Sequence, residues 1–465
     1  MNARPFSLPL PASLERVLRR TPALRQSYLV GGCVRDALLG LPVKDYDVEV
    51  FGVDYETLQR ALAPYGRTDL VGRSFGVVKL TLPDGVHDFS IPRRDRKTGP
   101  GHRGFTTTFD PGIAPAEAAA RRDFTLNALM YDPREGCLLD YYGGQADLEA
   151  RVLRHTSDAF GEDPLRVLRG MQLAGRFGLT AAPETVALCR AIREDFAELP
   201  ADRVRGEWWK WAALSTQPSR GLQFLAATDW SSHFPELHAL MGVPQDDEWH
   251  PEGDVFTHTC HCCDAMARLP AWQGADEESR VVLMLATLAH DFGKAQTTRA
   301  EEREGRWRIV SPGHEEAGGP LAERFLGRVG VPVAVRERVV PLVTNHLAHL
   351  QMLSPRGVRR LARRLEPETI ERLCLVIEAD QGGRPPRPGG PTPELEALRA
   401  LAAQLELEKA APQPILKGRH LLELGYAPGR AMGALLEEAF EAQIEGQFSD
   451  LEGALKWLKG KGPSG

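Results

Sequence analysis

Near the start of the chain, three acidic side chains and a glycine pair have the types and spacing for metal-assisted phosphate chemistry. Asp45 and Asp47 stand two apart in KDYDVEVFG, and Asp88 falls in VHDFSI. Side chains alternate along a strand, so positions i and i+2 share a face. Read as a strand, KDYDVEVFG sets Asp45 and Asp47 side by side, with Glu49 on the same face as a reserve ligand. Upstream, Gly31 and Gly32 form a turn that opens a helix with Arg35 and Asp36 in its first turn. A helix start offers unpaired N–H groups and partial positive charge to a polyphosphate, and paired carboxylates suit divalent metal. That combination serves nucleotidyl transfer. Two Mg²⁺ ions would activate an attacking 3′-hydroxyl and stabilise the leaving pyrophosphate, with Asp88 as the third carboxylate from a neighbouring strand. D-x-D alone is as often a solvated strand edge; the upstream Gly-Gly-x-x-Arg-Asp is what gives it meaning.

A second constellation lies further on. WHPEGDVFTHT puts His258 at a helix start, and the apolar run VVLMLATLA ends in His290-Asp291. His314, His346 and Asp380 follow, each beside a helical pattern. Histidines and aspartates at the ends of apolar helices can converge in a bundle core and bind a divalent transition metal. Cys260, His261, Cys262 and Cys263 adjoin this set. No second ligand pair at closed-site spacing lies nearby, so they read as small apolar residues packed on a helix rather than as a zinc site.

These residues need elements to hold them. YLV, DYDVEVF, GVVKLTL, VHDFSI and CLLDYY read as strands of a mixed sheet, with helical patterns at 55–62 and 124–130. From about residue 146 the pattern turns helical, at 148–153, 164–177, 183–196, 203–214 and 221–227, and stays almost wholly so to residue 465. A Gly/Pro/Arg-rich break at 381–393 is the clearest linker. Residues 93–116 read as a loop; Gly99, Gly101 and Gly104 have G-x-G-x-x-G spacing there, but neither follow a convincing strand-turn nor open a helix, so no dinucleotide fold is inferred. The expected class is α+β: a small mixed-sheet head (1–145), an all-helical neck and body (146–245), a helical metal-binding domain (246–382), and a linker with a helical tail (383–465).

Length and composition set the outer bounds. A chain of 465 residues with 42% apolar and 26% charged residues is a multidomain globular protein. No apolar run approaches the roughly 20 residues of a membrane span, and the N-terminus lacks a secretory apolar core. Seven scattered cysteines are not a disulfide framework, so a reducing cytoplasm is expected. The net charge of −6 argues against a blanket nucleic-acid binder but allows a local basic surface. Arg356, Arg359, Arg360, Arg363 and Arg364, at helical spacing in SPRGVRRLARRL, are the candidate RNA contacts. A second basic set joins Arg203, Arg205 and Lys210 to Trp208, Trp209 and Trp211; there the tryptophans read as core packing. No membrane or protein partner is evident.

GGCVRDALLG, KDYDVEVFG, RRDFTLNAL and EDPLRVLR occur in the order of the motifs of class II tRNA nucleotidyltransferases, and the first 170 or so residues resemble that family. These CCA-adding enzymes share their head with bacterial poly(A) polymerases. The resemblance implies catalytic metal ligation by Asp45, Asp47 and Asp88, and triphosphate binding at Gly31, Gly32 and Arg35. It implies that Arg121, Arg122, Asp123 and Asn127 hold the ribose and phosphates of the incoming nucleotide. Glu162, Asp163 and Arg166 match an amino-acid template, in which Asp163 and Arg166 pair with the base, and Arg169 at the end of the same motif is a further nucleotide-binding residue. A carboxylate accepts from the exocyclic amino group of cytosine or adenine while a guanidinium donates to the ring nitrogen. Uracil and guanine present a carbonyl and an N–H there, leaving both contacts unmade. The expected partners are tRNA, CTP and ATP; poly(A) addition, or addition of only CC or only A, is the alternative. An inert head in an RNA-binding protein is a rival from another class. The pattern H…HD…D at His258, His290, Asp291 and Asp380 resembles the HD phosphohydrolases, with His314 and His346 matching extra ligands of dinuclear members. It implies phosphatase or 2′,3′-cyclic phosphodiesterase activity.

Overall fold

The structure, a computed structural model, describes residues 2–69, 76–97 and 105–461. Gly99, Gly101 and Gly104 lie outside the described residues. The chain divides into two compact units, Met1–Glu207 with Arg220–Trp230, and Trp208–Ser219 with Ser231–Gly465.

The first unit is built on an eight-stranded mixed sheet. Its strands are β1 (Asn2–Pro5), β2 (Ser27–Val30), β3 (Asp47–Val50), β4 (Arg67–Asp69), β5 (Val77–Leu82) and β6 (Gly85–Ser90). A separate hairpin, β7 (Arg93–Lys97) and β8 (Phe105–Phe109), precedes the last two sheet strands, β9 (Met130–Asp132) and β10 (Cys137–Asp140). The order is β1-β10-β9-β2-β3-β6-β5-β4, and only β3 and β6 pair in parallel. In β5, VVKLTL alternates buried and exposed as a half-buried strand should. Its inward residues join Leu29, Val48, Val50 and Phe89 in one core, which α1 (Ala12–Arg20) and α3 (Tyr55–Leu62) cover with Leu14, Val17, Leu58 and Leu62.

Helices α2 (Gly32–Leu38), α4 (Pro115–Ala120), α5 (Gly144–Glu149), α6 (Leu165–Phe177), α7 (Pro183–Ala191), α8 (Ala201–Leu214) and α9 (Pro218–Ala227) complete this part of the chain. Helix α6 follows Pro164, whose ring pre-sets φ for a helix start, and stops at Gly178 with φ 64°, a left-handed position that glycine adopts without strain.

The second unit contains α10 (Pro235–His238), α11 (Val255–Arg268), α12 (Pro270–Gln273), α13 (Glu277–Ala289), α14 (Lys294–Thr297), α15 (His314–Arg328), α16 (Val333–Thr344), α17 (Pro355–Leu365) and α18 (Ile370–Gly382). Helix α13 is the central element. Every residue from Val281 to Ala289 is buried, as befits a helix apolar on all sides, and α11, α16 and α18 pack around it. After a non-helical stretch at 383–392 come α19 (Pro393–Gln404), α20 (Gly418–Glu423), α21 (Arg430–Ile444) and α22 (Leu451–Gly460). The last three form a small core of their own around Leu421, Ala439 and Leu458.

Several expectations are corrected. The strand carrying Asp47 begins at Asp47, so Asp45 precedes it and the shared-face argument does not hold for Asp45. Leu29 with Val48 is the last β2–β3 pair; Val30 ends β2 paired to Met130 of β9, the Gly31 turn follows, and β3 has no partner on that side at Asp47. Residues 124–130 form a short 3₁₀ turn (Thr125–Asn127) and then the start of β9, and 148–153 divides between α5 and a two-residue strand, β11 (Val152–Leu153), which pairs with β12 (Thr180–Ala181). In both places sheet pairing overrides local helical spacing. The 93–116 segment begins as β7 and includes β8 instead of being loop throughout. The second unit also holds a hairpin, β13 (Arg299–Arg303) and β14 (Arg306–Val310). Glu304 and Gly305 turn it with φ of 52° and 74°, the geometry of a tight two-residue hairpin turn.

Candidate functional site

The first unit holds a cavity of about 470 Å³ that gathers much of the expected site. Its walls carry Gly31, Gly32, Arg35, Asp47, Arg121, Arg122, Asp123, Asn127, Asp163, Arg166 and Arg169, together with Glu49, Arg93 and Arg203. Gly31 caps α2 with φ 74°. A Cβ at Gly31 would stand 3.1 Å from the Arg122 guanidinium, so glycine serves both the turn and the close approach. Arg122 reaches Glu49 at 3.4 Å. Arg35 is buried; its Nη1 donates to Asn127 Oδ1 at 2.7 Å and its Nη2 to Asp36 Oδ1 at 2.6 Å.

The carboxylates are less closely gathered. Asp47 and Asp88 are register partners on parallel strands β3 and β6. Asp88 is held by Lys79, whose Nζ donates to both of its oxygens at 3.0 Å. Asp45 is exposed ahead of β3 and does not line the cavity. Partial withdrawal from water raises the Asp47 pKa, with Arg122 opposing the rise and Asp88 and Asp45 adding to it. Of the three, only Asp47 lines the cation-lined cavity, and its mutual repulsion with Asp88 and Asp45 suits a divalent cation.

The template residues are tied into the wall. Asp163 Oδ1 accepts the Leu165 N–H at 3.1 Å, and its Oδ2 takes Arg203 Nη2 at 2.9 Å. Arg166 donates to the carbonyls of Ala159 at 2.6 Å and Arg121 at 2.7 Å. Arg121 reaches Glu162 at 3.3 Å. Asp123 is buried and accepts from Phe124 N–H at 2.8 Å and Asn127 Nδ2 at 3.0 Å, and Arg169 stands 2.9 Å away. Burial opposes its charge, but Arg169 and these donors hold its carboxyl below the usual range. Arg203, read from sequence only as part of a basic patch, is a wall residue bonded to Asp163. Forty residues separate the two, and no local spacing signals the contact.

The second constellation converges in the second unit. His258, His290, Asp291, His314, His346 and Asp380 are all buried. His290 donates Nδ1–H to Thr287 O, His314 to Ser311 O and His346 to Val343 O, each at 2.7 Å. With Nδ1 committed in this way, the Nε2 of each ring is the atom left to face the centre. The Nε2 atoms of His314 and His346 are only 3.2 Å apart, and His314 Nε2 lies 3.3 Å from Asp291 Oδ1. His290 Nε2 lies buried with no hydrogen-bond partner. His258 Nε2 faces Asp380 Oδ1 at 3.0 Å, while its Nδ1 stands 2.7 Å from Glu252. Imidazole nitrogens and carboxylates converging in this way fit a metal cation. Three groups among the described residues have the required closeness: Asp291 with His314 and His346; His258, His290 and Asp380 with Cys262; and His258 again with His250 and Glu252.

Electrostatics describe the same centre. Burial works against charge on His290, yet Asp291, whose Oδ2 lies 3.3 Å from its Nε2, and Cys262 raise its pKa to about 10, so a cation bound at that nitrogen must displace a proton. Burial, with His290 and His314 beside it, lowers His346 to about 3, so that ring stays neutral. Lys294 Nζ binds Asp291 Oδ2 at 2.7 Å and Arg384 binds both oxygens of Asp380, at 2.7 and 2.9 Å. Glu252, Lys294, Arg384 and Cys262 were not singled out as site residues, although Glu252 falls within WHPEGDVFTHT and Lys294 follows His290-Asp291 by three residues.

The arginine helix α17 is engaged within the chain. Arg356 and Arg360 each reach Glu445 at 2.6 Å, and Arg363 pairs with Glu441, both acids on or next to α21. Trp208 and Trp211 are buried against each other, and Trp208 also packs edge-on against Phe234 and Phe325, as the core-packing reading expects.

Comparison with known proteins follows the same division. The Poly A polymerase head domain family matches residues 27–154, and the HD domain family matches residues 255–381. The chain is 36% identical over 401 residues to the multifunctional CCA protein of Vibrio vulnificus (strain CMCP6), covering 82% of this chain and 91% of that one. It is 38% identical over 375 residues to the multifunctional CCA protein of Xylella fastidiosa (strain M23), covering 77% and 84%. Among solved structures, the Bacillus stearothermophilus CCA-adding enzyme in complex with CTP aligns with TM-score 0.63 at 22% identity over 97% of this chain and 98% of that one. The Thermotoga maritima CCA-adding enzyme complexed with tRNA aligns with TM-score 0.62 at 19% identity over 99% of each.

Proposed function

From the premise that this chain belongs to the family of multifunctional CCA proteins, we propose that it adds C and A residues to the 3′ end of tRNA from CTP and ATP without a nucleic-acid template. The observation that carries this reading is the cavity in which the Gly31-Gly32 turn, Asp47, the arginines Arg121 and Arg122, and the Asp163/Arg166 pair share one wall. In this reading the glycine turn and Arg35 bind the triphosphate. Arg121, Arg122, Asp123 and Asn127 position the ribose and phosphates, Asp163 and Arg166 select the base, and Arg169 fixes Asp123. Asp45, Asp47 and Asp88 would hold Mg²⁺, which supplies charge stabilisation to the attacking and leaving oxygens. Binding it would require Asp88 to exchange Lys79 for the cation.

The second unit hydrolyses phosphoesters in this reading, as a phosphatase or 2′,3′-cyclic phosphodiesterase. His258, His290, Asp291, His314, His346 and Asp380 would hold a transition metal, whose Lewis acidity lowers the pKa of an attacking water. Arg356, Arg359, Arg360 and Arg363 are proposed RNA contacts. The proposed division is a head (1–145), neck and body (146–245), HD domain (246–382) and tail (383–465). Cytoplasmic location is supported by seven free thiols and by the lack, among the described residues, of any helix long and apolar enough to cross a membrane.

The decisive experiment is extension of a tRNA transcript lacking CCA, with Mg²⁺ and CTP, ATP or both, resolved on a sequencing gel. Addition of CCA only when both nucleotides are present is the expected result. A stop after CC, addition of A alone to CC-ended tRNA, or a long A tail would replace it with a split or polyadenylating activity.

A further inference from the structure

We propose that Cys262 is a ligand of the metal centre in the second unit, and that its thiolate biases the site toward a borderline or soft divalent cation. The inference rests on reading the His258/His290/Asp380 cluster as a metal site, and adds a ligand that the H…HD…D pattern does not contain.

Cys262 follows His258 by four residues on α11, so the two side chains share one helix face a turn apart. Both are buried. Cys262 Sγ lies 3.3 Å from His258 Nε2, the same nitrogen that faces Asp380 at 3.0 Å. Ligands at about 2.1 Å (nitrogen) and about 2.3 Å (sulfur) from one ion stand roughly 3.1 Å apart at a right angle and roughly 3.6 Å apart at a tetrahedral angle. The observed separation falls between. One ligand atom from each of His258, Cys262, His290 and Asp380 lies within 4.8 Å of the others.

A buried cysteine alone would be ordinary packing. Here a second observation points to a ligand. His290 Nε2 is buried and without a hydrogen-bond partner, and its Nδ1 proton is already committed to Thr287 O. Glu252 stands 2.7 Å from His258 Nδ1 and the Gly383 carbonyl 3.2 Å from it; with the ring proton held on that nitrogen, His258 Nε2 turns an electron pair toward the sulfur and Asp380. Two imidazole lone pairs, a carboxylate oxygen and a sulfur therefore surround one point. The neighbouring thiols do not take part: Cys260 and Cys263 lie two and five residues after His258, and neither joins the group. The opposite wall makes room for the sulfur, since a Cβ on Gly383 would meet Sγ at 2.3 Å.

On binding, the thiol gives its proton to solvent and the sulfur bonds to the cation. Thiolate favours Zn²⁺, Co²⁺ or Ni²⁺ over Mg²⁺ or Mn²⁺. The test uses the full-length protein, stripped of metal by a chelator and titrated anaerobically with Co²⁺. The expected spectrum combines visible d–d bands with a near-ultraviolet thiolate-to-cobalt charge-transfer band. In Cys262→Ser the charge-transfer band disappears while d–d bands remain. Co²⁺ affinity falls roughly tenfold or more, with far less change for Mn²⁺. Cys263→Ser keeps the band. Co²⁺ bound with d–d bands but no charge transfer in the wild-type protein, or a band that survives in Cys262→Ser, overturns the proposal while leaving the metal centre intact. Failure to bind Co²⁺ at all overturns the metal-centre reading itself, and the proposal with it. Should Cys262→Ser fail to fold, the wild-type and Cys263→Ser spectra still decide whether a thiolate is bound.

Discussion

Arg166 and Asp123 show how far single side chains are committed before any substrate arrives. Arg166 spans the carbonyls of Ala159 and Arg121, so its guanidinium is oriented by the backbone rather than left to find the base. Replacing it by alanine removes the donor proposed to face the ring nitrogen. Discrimination of CTP and ATP over UTP and GTP should then fall by about 1–3 kcal/mol, or roughly ten- to a hundredfold, in competitive incorporation assays. Unchanged discrimination would remove Arg166 from base selection. Asp123 makes a pH prediction. Its folded pKa lies below the ordinary 3.8 because Arg169, Asn127 and the Phe124 N–H outweigh burial. A depressed pKa stabilises the fold above the unfolded value, and that contribution is lost as pH falls from about 4 through the folded value. Denaturant melts should therefore show stability falling steeply at acid pH. Asp123→Asn should flatten that limb and cost about 1–3 kcal/mol near neutrality; an unaltered acid limb would mean that other carboxylates carry it.

At the scale of elements, close backbone approach and surface pairing set two different limits. Gly293, in the HDFG turn between α13 and α14, would with a Cβ meet the His314 carbonyl at 2.0 Å and the Gly318 nitrogen at 2.8 Å. Backbone cannot retreat as a flexible side chain does. Gly293→Ala is expected to destabilise the second unit by about 1–3 kcal/mol or more, and metal analysis should show it losing ions from that unit while CCA addition survives. Helix α17 poses the other case. Its arginines already pair with Glu441 and Glu445, and such exposed pairs contribute about 0–1 kcal/mol each. Phosphates could therefore displace the acids at little cost. Alanine at Arg356, Arg360 and Arg363 should lower the slope of log Kd for tRNA against log salt by about one per lost contact. An unchanged slope would make this helix a structural partner of the tail alone.

For the molecule as a whole, the two constellations fall in separate compact units, and each has its own ligands and walls. Asp47→Asn should depress tRNA extension by more than roughly a hundredfold, as loss of several kcal/mol of metal-assisted stabilisation implies, and leave phosphoester hydrolysis unaltered. Asp291→Ala should abolish hydrolysis and metal retention in the second unit and spare extension. Parallel assays of both variants on tRNA lacking CCA and on a 2′,3′-cyclic nucleotide separate the sites, and joint loss in either variant would mean that the units do not act independently.

The order of chemistry along the chain is written locally. Gly31-Gly32 with Arg35, the D-x-D pair, RRDFTLNAL, EDPLRVLR and His290-Asp291 are short segments whose order along the chain carries the resemblance to the family, and turn geometry and helix period, which act over a few residues, make the local elements legible. The α13 core helix is equally legible, since a nine-residue run that is apolar except for Thr287, whose hydroxyl bonds the Leu283 carbonyl, has nowhere to go but inside. What only the tertiary structure decided depends on partners distant in sequence. The β2 ladder reaches only Val48, and Asp47 is held in β3 by its pairing with Asp88 of β6, a limit that no property of KDYDVEVFG contains. Arg203 meets Asp163, Glu445 meets Arg356, and Cys262 joins His290 and Asp380 because packing of whole helices closes those distances. A motif names the groups able to react; burial, register and helix packing determine which of them share a cavity, and which are already bound to something else.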